Sequence, residues 1–191
     1  MPEPVNRCVD CGKRIKPPSL RCRVHAAAQA RRVMQLLRES RGQRPQTPVE
    51  VERAILRLGL RLASEFASPV DARPRAAFFR VDQDTVIPVI ELSGGNWARG
   101  RSFPLAEHPA FAEIVATGKP RANRARSRPL GPKVSQIFGR TGVSAGAGVP
   151  ITRGGSLQGI LAVGLRGPEL PDEVFQSLID LGRLLEFALA G

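Results

Sequence analysis

All three cysteines of this chain fall within its first 22 residues, spaced Cys8-x2-Cys11 and then, ten residues on, Cys22-x2-His25. That spacing constrains the front of the chain more than any other feature does. Each x2 pair places two ligands on one turn, and two such knuckles supply three thiolates and one imidazole, a closed tetrahedral set of the kind that holds structural zinc. A catalytic site would keep a position for water. Gly12 follows the first pair, where a knuckle needs positive φ, and Pro17 and Pro18 stiffen the loop between the pairs. The same residues could be three ordinary thiols and an exposed histidine. Yet the segment is too short and polar to build a core, so order here requires a metal. An odd cysteine count argues against a disulfide framework, and a histidine as fourth ligand is unusual for an iron–sulfur cluster. The expected cofactor is therefore Zn2+, held by Cys8, Cys11, Cys22 and His25. The segment resembles the zinc ribbons and knuckles of nucleic-acid-binding proteins, modules that also make protein contacts.

Charge sharpens this expectation. The net charge of the 191-residue chain is +12, unevenly spread. Residues 1–50 carry 11 basic and 4 acidic residues (net +7), and residues 121–142 carry 6 basic and none acidic. Residues 51–120 hold 9 basic and 8 acidic residues (net +1), and residues 143–191 hold 3 and 5 (net −2). Clustered positive charge implies an anionic partner more than a diffuse excess does. The arginine bias alone is equally what a GC-rich genome produces. Between Val24 and Glu39 there is no Gly or Pro, which predicts a helix. Val33, Met34, Leu36 and Leu37 are its apolar residues, with Arg31, Arg32 and Arg38 elsewhere on the wheel. Lys13, Arg14, Lys16, Arg21, Arg23, Arg31 and Arg32 are the candidate contacts to DNA or RNA phosphates. A basic run alone is also the mark of a solvated helix, and no base-reading motif accompanies it. Residues 40–48 read as a linker. The expected division is a zinc knuckle over 1–26, a basic helix and linker over 27–47, and one domain over 48–191.

That domain opens with a capping box. Thr47 precedes Pro48, and Glu50 lies three residues after the threonine. Val51, Ile55, Leu58, Leu62 and Phe66 form one helical stripe, and Leu56, Leu60 and Ala63 a second. Two stripes imply two surfaces to cover: the helix's own sheet and a further partner such as a second subunit. Residues 76–81 and 86–92 predict a hairpin around Asp82-Gln83-Asp84, with Pro88 suited to an edge or bulge. His108 to Gly118 predicts a short helix closed by glycine. A second hairpin follows, Val143–Ile151 and Leu157–Leu165, around Arg153-Gly154-Gly155-Ser156. Pro171 opens the last helix, with the stripe Val174, Leu178, Leu181, Leu185 and Leu189. Helix, hairpin, helix, hairpin, helix is an α+β pattern with an antiparallel sheet.

The stretch Gly142-Val143-Ser144-Ala145-Gly146-Ala147-Gly148-Val149-Pro150-Ile151, with Gly159-Ile160-Leu161-Ala162-Val163, resembles the closing hairpin of a GAF domain. Ile114-Val115-Ala116-Thr117-Gly118-Lys119-Pro120 resembles that family's helix-to-strand turn. The resemblance spans about residues 48–191 and implies a GAF-like antiparallel sheet with flanking helices, acting as a ligand-sensing or protein-contact module. It also implies dimerisation through the first and last helices, hence a homodimer. Three branches of the family are poorly matched: the Asn-Lys-Phe-Asp-Glu signature of the cyclic-nucleotide branch is missing. No cysteine follows Cys22, whereas the bilin-binding and sulfoxide-reductase branches need cysteines within the domain.

Candidate ligand contacts are Trp97, Arg99 and Arg101 after the first hairpin, and Arg124, Arg126 and Arg128 in an arginine-rich loop that also holds Arg121, Lys133 and Arg140. Together they suit a small phosphate-bearing ligand or nucleic acid. A mobile solvated loop and a core-capping tryptophan are the plain alternatives. His108 suits a helix start better than a haem ligand. No Ser–His–Asp set and no phosphate-cradling loop is legible, so an enzyme is not expected. No apolar run approaches membrane-spanning length and no signal peptide is legible, so a cytosolic protein is expected. Two functions remain: a regulator whose zinc module engages nucleic acid, or an adaptor whose zinc module docks on a protein beside a ligand-free GAF-like scaffold. Native mass spectrometry should show one zinc ion per chain, lost in Cys11→Ser. A full-length chain free of zinc but still ordered over residues 8–25 would refute the metal assignment.

Overall fold

The computed structural model describes residue 31 and residues 47–92, 101–123, 142–167 and 169–190. The predicted zinc ligands Cys8, Cys11, Cys22 and His25 lie outside these residues, as do Lys13, Arg14, Lys16, Arg21, Arg23 and Arg32. Arg31 lies in α-helix and is exposed.

Helix α1 spans Pro48–Ala67 and starts as its sequence dictates. The Glu50 N–H donates to the Thr47 hydroxyl (3.2 Å) and the Thr47 N–H to the Glu50 carboxylate (3.0 Å), so both halves of the capping box are made. Strands β1 (Arg75–Asp82) and β2 (Thr85–Leu92) form the first hairpin. The register shifts between Phe78 and Phe79, where Phe79 pairs with Pro88. The proline thus sits at a bulge, where its missing N–H costs no ladder bond. A two-residue strand β3 (Phe103–Pro104) runs into a 3-10 turn, Leu105–Glu107, and then into α2 (Pro109–Thr117). Gly118 closes α2 at φ 64°, a left-handed conformation that glycine adopts freely. Strand β4 (Arg121–Asn123) follows. Strands β5 (Ala145–Arg153) and β6 (Ser156–Leu165) form the second hairpin. Its two central residues, Gly154 and Gly155, both have positive φ, as a tight hairpin turn of matching twist demands. Helix α3 spans Asp172–Ala190. The short strands β3 and β4 were not anticipated, and Arg121 belongs to β4 rather than to an irregular loop.

The six strands form one antiparallel sheet in the order β3-β2-β1-β6-β5-β4. Helices α1 and α3 pack on one face over Ala76, Phe78, Val149, Leu161 and Val163. The opposite face is covered by α2 over Ala77, Phe79, Val86 and Ile160. With both faces buried, the central strands read as unbroken apolar runs rather than alternating ones. On α1 the second stripe is the deeply buried one (Leu56, Leu60, Ala63), while Ile55, Leu58, Leu62 and Phe66 are half-buried and Val51 is exposed. The two helices approach closely: a Cβ on Gly59 would come within 2.6 Å of the Leu185 side chain. Glu186 of α3 is tied to β5, accepting from the Thr152 N–H (2.7 Å) and hydroxyl (2.6 Å) at an irregularity in the ladder.

Asp71 clasps the α1–β1 connection to the end of β6. Its buried carboxylate accepts from the Arg166 backbone N–H (2.8 Å), Nε (3.3 Å) and Nη2 (3.0 Å), and from the Arg73 N–H (2.9 Å). Burial opposes the charge, but the Arg166 side-chain and backbone hydrogen bonds, that of Arg73, and the Arg166 charge outweigh it and bring the carboxyl down to about 2. Because the folded value is lowered from 3.8, the stabilisation is present above that pH and disappears as pH falls toward 2. Asp71→Asn should lower the unfolding free energy by about 2 kcal/mol at neutral pH. In urea titrations the deficit should narrow below pH 4; a pH-independent deficit would contradict this account of the clasp.

Candidate functional site

The face of the sheet under α2 is the candidate site. Phe79 and Ile160 contribute from the central strands, Phe103 from β3, and Phe111 and Ile114 from α2. Phe79 and Phe111 meet edge to face, with centroids 5.1 Å apart. A side chain at Gly148 of β5 would come within 2.6 Å of Ile114 and 3.1 Å of Ile160. Glycine is therefore what lets α2 settle onto this face, and Ile114 and Ile160 are fully buried. Among the described residues, this face is filled by the domain's own side chains.

His108 is buried at its margin. It is the N-cap of α2: Nδ1 accepts from the Phe111 N–H at 3.3 Å, and the imidazole stacks on the Phe111 ring at 3.7 Å between centroids. The helix-start role expected from sequence is the one observed. Burial penalises the cation and lowers its pKa from 6.5 to about 4, against a smaller opposing effect of a backbone hydrogen bond. At neutral pH the ring is neutral and its Nδ1 lone pair is free to cap the helix.

On the edge of the same face, Arg121 Nη2 pairs with the Glu113 carboxylate at 2.8 Å, joining β4 to α2. The Nε of Arg121 is buried and has no hydrogen-bond acceptor among the described residues. No sequence pattern marked the Glu113–Arg121 pair, because it joins a helix to a strand across a turn.

Of the six predicted ligand contacts, only Arg101 lies among the described residues, where it is exposed, two positions before β3. Trp97, Arg99, Arg124, Arg126 and Arg128 lie outside them. Topology nevertheless relates their attachment points. Leu92, the last residue of β2, pairs with Ala76 near the start of β1, whose Arg75 faces Gly164. Asn123, the last residue of β4, pairs with Gly146, next to the Ala145–Leu165 pair. The two arginine-bearing connections therefore leave the sheet at the same end.

No family model matches this sequence, and no curated protein does. Solved structures do match its fold. The chromophore-binding domain of Stigmatella aurantiaca phytochrome P1 aligns with a TM-score of 0.59 at 18% identity, over 93% of this chain and 65% of that one. The cyanobacteriochrome receptor PixJ aligns at 0.58 and 19%, over 75% of this chain and 98% of that one. The chromophore-binding domain of bacteriophytochrome RpBphP3 from R. palustris aligns at 0.56 and 15%, over 85% and 60%. The fold is GAF-like. This chain spans less than two thirds of the first of these neighbours. Among the described residues of the GAF-like domain, no helix is long and apolar enough to cross a membrane.

The buried imidazole sets a pH dependence. The folded value lies below the unfolded one, so stability is complete above pH 6.5 and is lost as pH falls toward 4. The loss should reach about 3 kcal/mol, at 1.36 kcal/mol per unit. In His108→Asn, where asparagine still caps the helix, denaturant midpoints should be flatter over that range. Wild-type stability constant from pH 6.5 to 4 would exclude a neutral buried ring.

Proposed function

We propose that this protein is a non-enzymatic regulator: its N-terminal zinc module and basic helix engage nucleic acid or a machine built on it, and its GAF-like domain senses a small anionic ligand or dimerises. The observation that carries the sensing half is topological. A GAF-like sheet sends two arginine-bearing connections, one with Trp97 and Arg99 and one with Arg124, Arg126 and Arg128, from a single end. Connections that carry cations and an aromatic ring and leave one end of the sheet suit a phosphate-bearing ligand. The structural neighbours support sensing, since each comes from a phytochrome, a bacteriophytochrome or a cyanobacteriochrome receptor. The nucleic-acid half rests on the Cys8, Cys11, Cys22, His25 spacing and on the net charge of +7 over residues 1–50. Homodimer formation rests on the half-buried stripe of α1 and on the family resemblance.

A second reading has its own observation. The face under α2 is filled by Phe79, Phe103, Phe111, Ile114 and Ile160. A filled face favours a ligand-free scaffold, with the zinc module docking on a protein. Gel-shift titrations separate the two. The regulator binds DNA or RNA with affinity that falls steeply as salt rises. Arg31→Gln with Arg32→Gln should reduce the slope of log affinity against log salt by about 2. No binding to either nucleic acid at low salt would leave the adaptor.

A further inference from the structure

The outer side of α3 carries a pattern that its own domain does not use. Leu184 is 66% exposed and Phe187 is 82% exposed. Glu173 and Asp180 are exposed on the same side of the helix. At 100° per residue, Glu173, Asp180, Leu184 and Phe187 share an arc of about 60°. The N-terminal half of this stripe is acidic and the C-terminal half apolar. Isolated exposed apolar residues are ordinary. Leu184 and Phe187, one turn apart and continuous with an acidic row, form a surface with a defined polarity.

The chain's own exit point lies at the apolar end. Helix α1 leads into β1, whose first residue Arg75 pairs with Gly164, and α3 follows β6, whose last residue is Leu165. The C-terminus of α1 and the N-terminus of α3 therefore lie together, and the helices run antiparallel, meeting at Gly59 and Leu185. The start of α1, from which residues 1–46 depart, is at the end where Leu184 and Phe187 sit. Residues 40–47 form an eight-residue connection, reaching up to roughly 27 Å when extended. A preceding helix can turn back through it and lie beside α3, running in the same direction.

The helix predicted over residues 24–39, with the flanking Arg23, matches that stripe in register. Ala30, Met34 and Leu37 also share one arc of about 60°. An offset of 150 residues (184 − 34, 187 − 37) sets Met34 beside Leu184 and Leu37 beside Phe187, and leaves Arg23, just ahead of the helix, at the Glu173 end. The same offset sets Ala30 beside Asp180, which already accepts from Gln176 and Arg183, with Arg31, exposed and helical, one position further on. Overall charge agrees. The α3 helix carries Asp172, Glu173, Asp180 and Glu186 against Arg183, net −3. Residues 1–46 carry 11 basic and 3 acidic residues, net +8. We infer that the basic helix of residues 24–39 docks in cis, parallel to α3, on the stripe formed by Glu173, Asp180, Leu184 and Phe187. Docking couples the metal-binding module to the GAF-like domain through α3, the helix that also anchors β5 by way of Glu186.

Hydrogen exchange followed by mass spectrometry on the full-length chain tests this without nucleic acid or ligand, so its outcome is separable from that of the proposed function. Because Leu184 and Phe187 are exposed, Leu184→Gln with Phe187→Gln leaves the domain folded; unchanged exchange in β1 and β6 checks that. Amides of residues 24–39 should exchange at least tenfold faster in this variant than in wild type. Reciprocally, Met34→Gln with Leu37→Gln should speed exchange at the C-terminal end of α3. Equal exchange over residues 24–39 in wild type and the α3 variant overturns the proposal. So does light scattering that shows a wild-type dimer reduced to monomer by the α3 substitutions with exchange over 24–39 unaltered, since the occupant is then a second copy.

Discussion

The antiparallel pairing of β1 with β6 is the constraint on which the domain rests. It joins two hairpins separated by the residues between Leu92 and Ala145 and fixes which side of each strand meets which helix. Ala76 faces Val163 and Phe78 faces Leu161 on the side of α1 and α3, while Ala77 faces Ala162 and Phe79 faces Ile160 on the side of α2. A slip of one residue would exchange the two sets. With both faces buried, such a slip would send the large rings to the wrong side, so packing on either face enforces the same register. The loop entropy lost in closing this long-range pair is offset by apolar burial on two surfaces at once.

Polar contacts then fasten the rim. The Asp71 carboxylate draws four donors from Arg73 and Arg166 and ties the end of α1 to the end of β6. Glu186 holds α3 to β5 through Thr152, and Glu113 holds α2 to β4 through Arg121. The first two link elements far apart in sequence and the third spans a turn, and each lies where an apolar contact would leave backbone or charge unsatisfied. The Asp71 clasp sits at the end of the sheet from which both arginine-bearing connections leave. That end is consequently the better-braced one.

Much of the local structure was legible. The capping box at Thr47 and Glu50, the glycine at the end of α2, the Gly154-Gly155 turn and the bulge at Pro88 each follow from short-range stereochemistry that the residues carry with them. The helix-start role of His108 was legible for the same reason, because a cap bonds within its own first turn. Strands β3 and β4 were not, since two or three residues give no periodicity to read. Their pairing comes from the neighbours they meet: Val86 for Phe103, and Gly148 for Arg121.

By itself, the sequence determined the three α-helices and two hairpins of the domain, their caps and turns, the α+β order, and the spacing of Cys8, Cys11, Cys22 and His25. These depend on contacts within a few residues, or on residue identity alone. Only the tertiary structure decided which of the two α1 stripes is buried, that Gly148 admits α2 onto the sheet, and that Asp71 finds Arg166. Those outcomes depend on distances between segments brought together by the β1–β6 pair, and no periodicity along the chain encodes a distance across it.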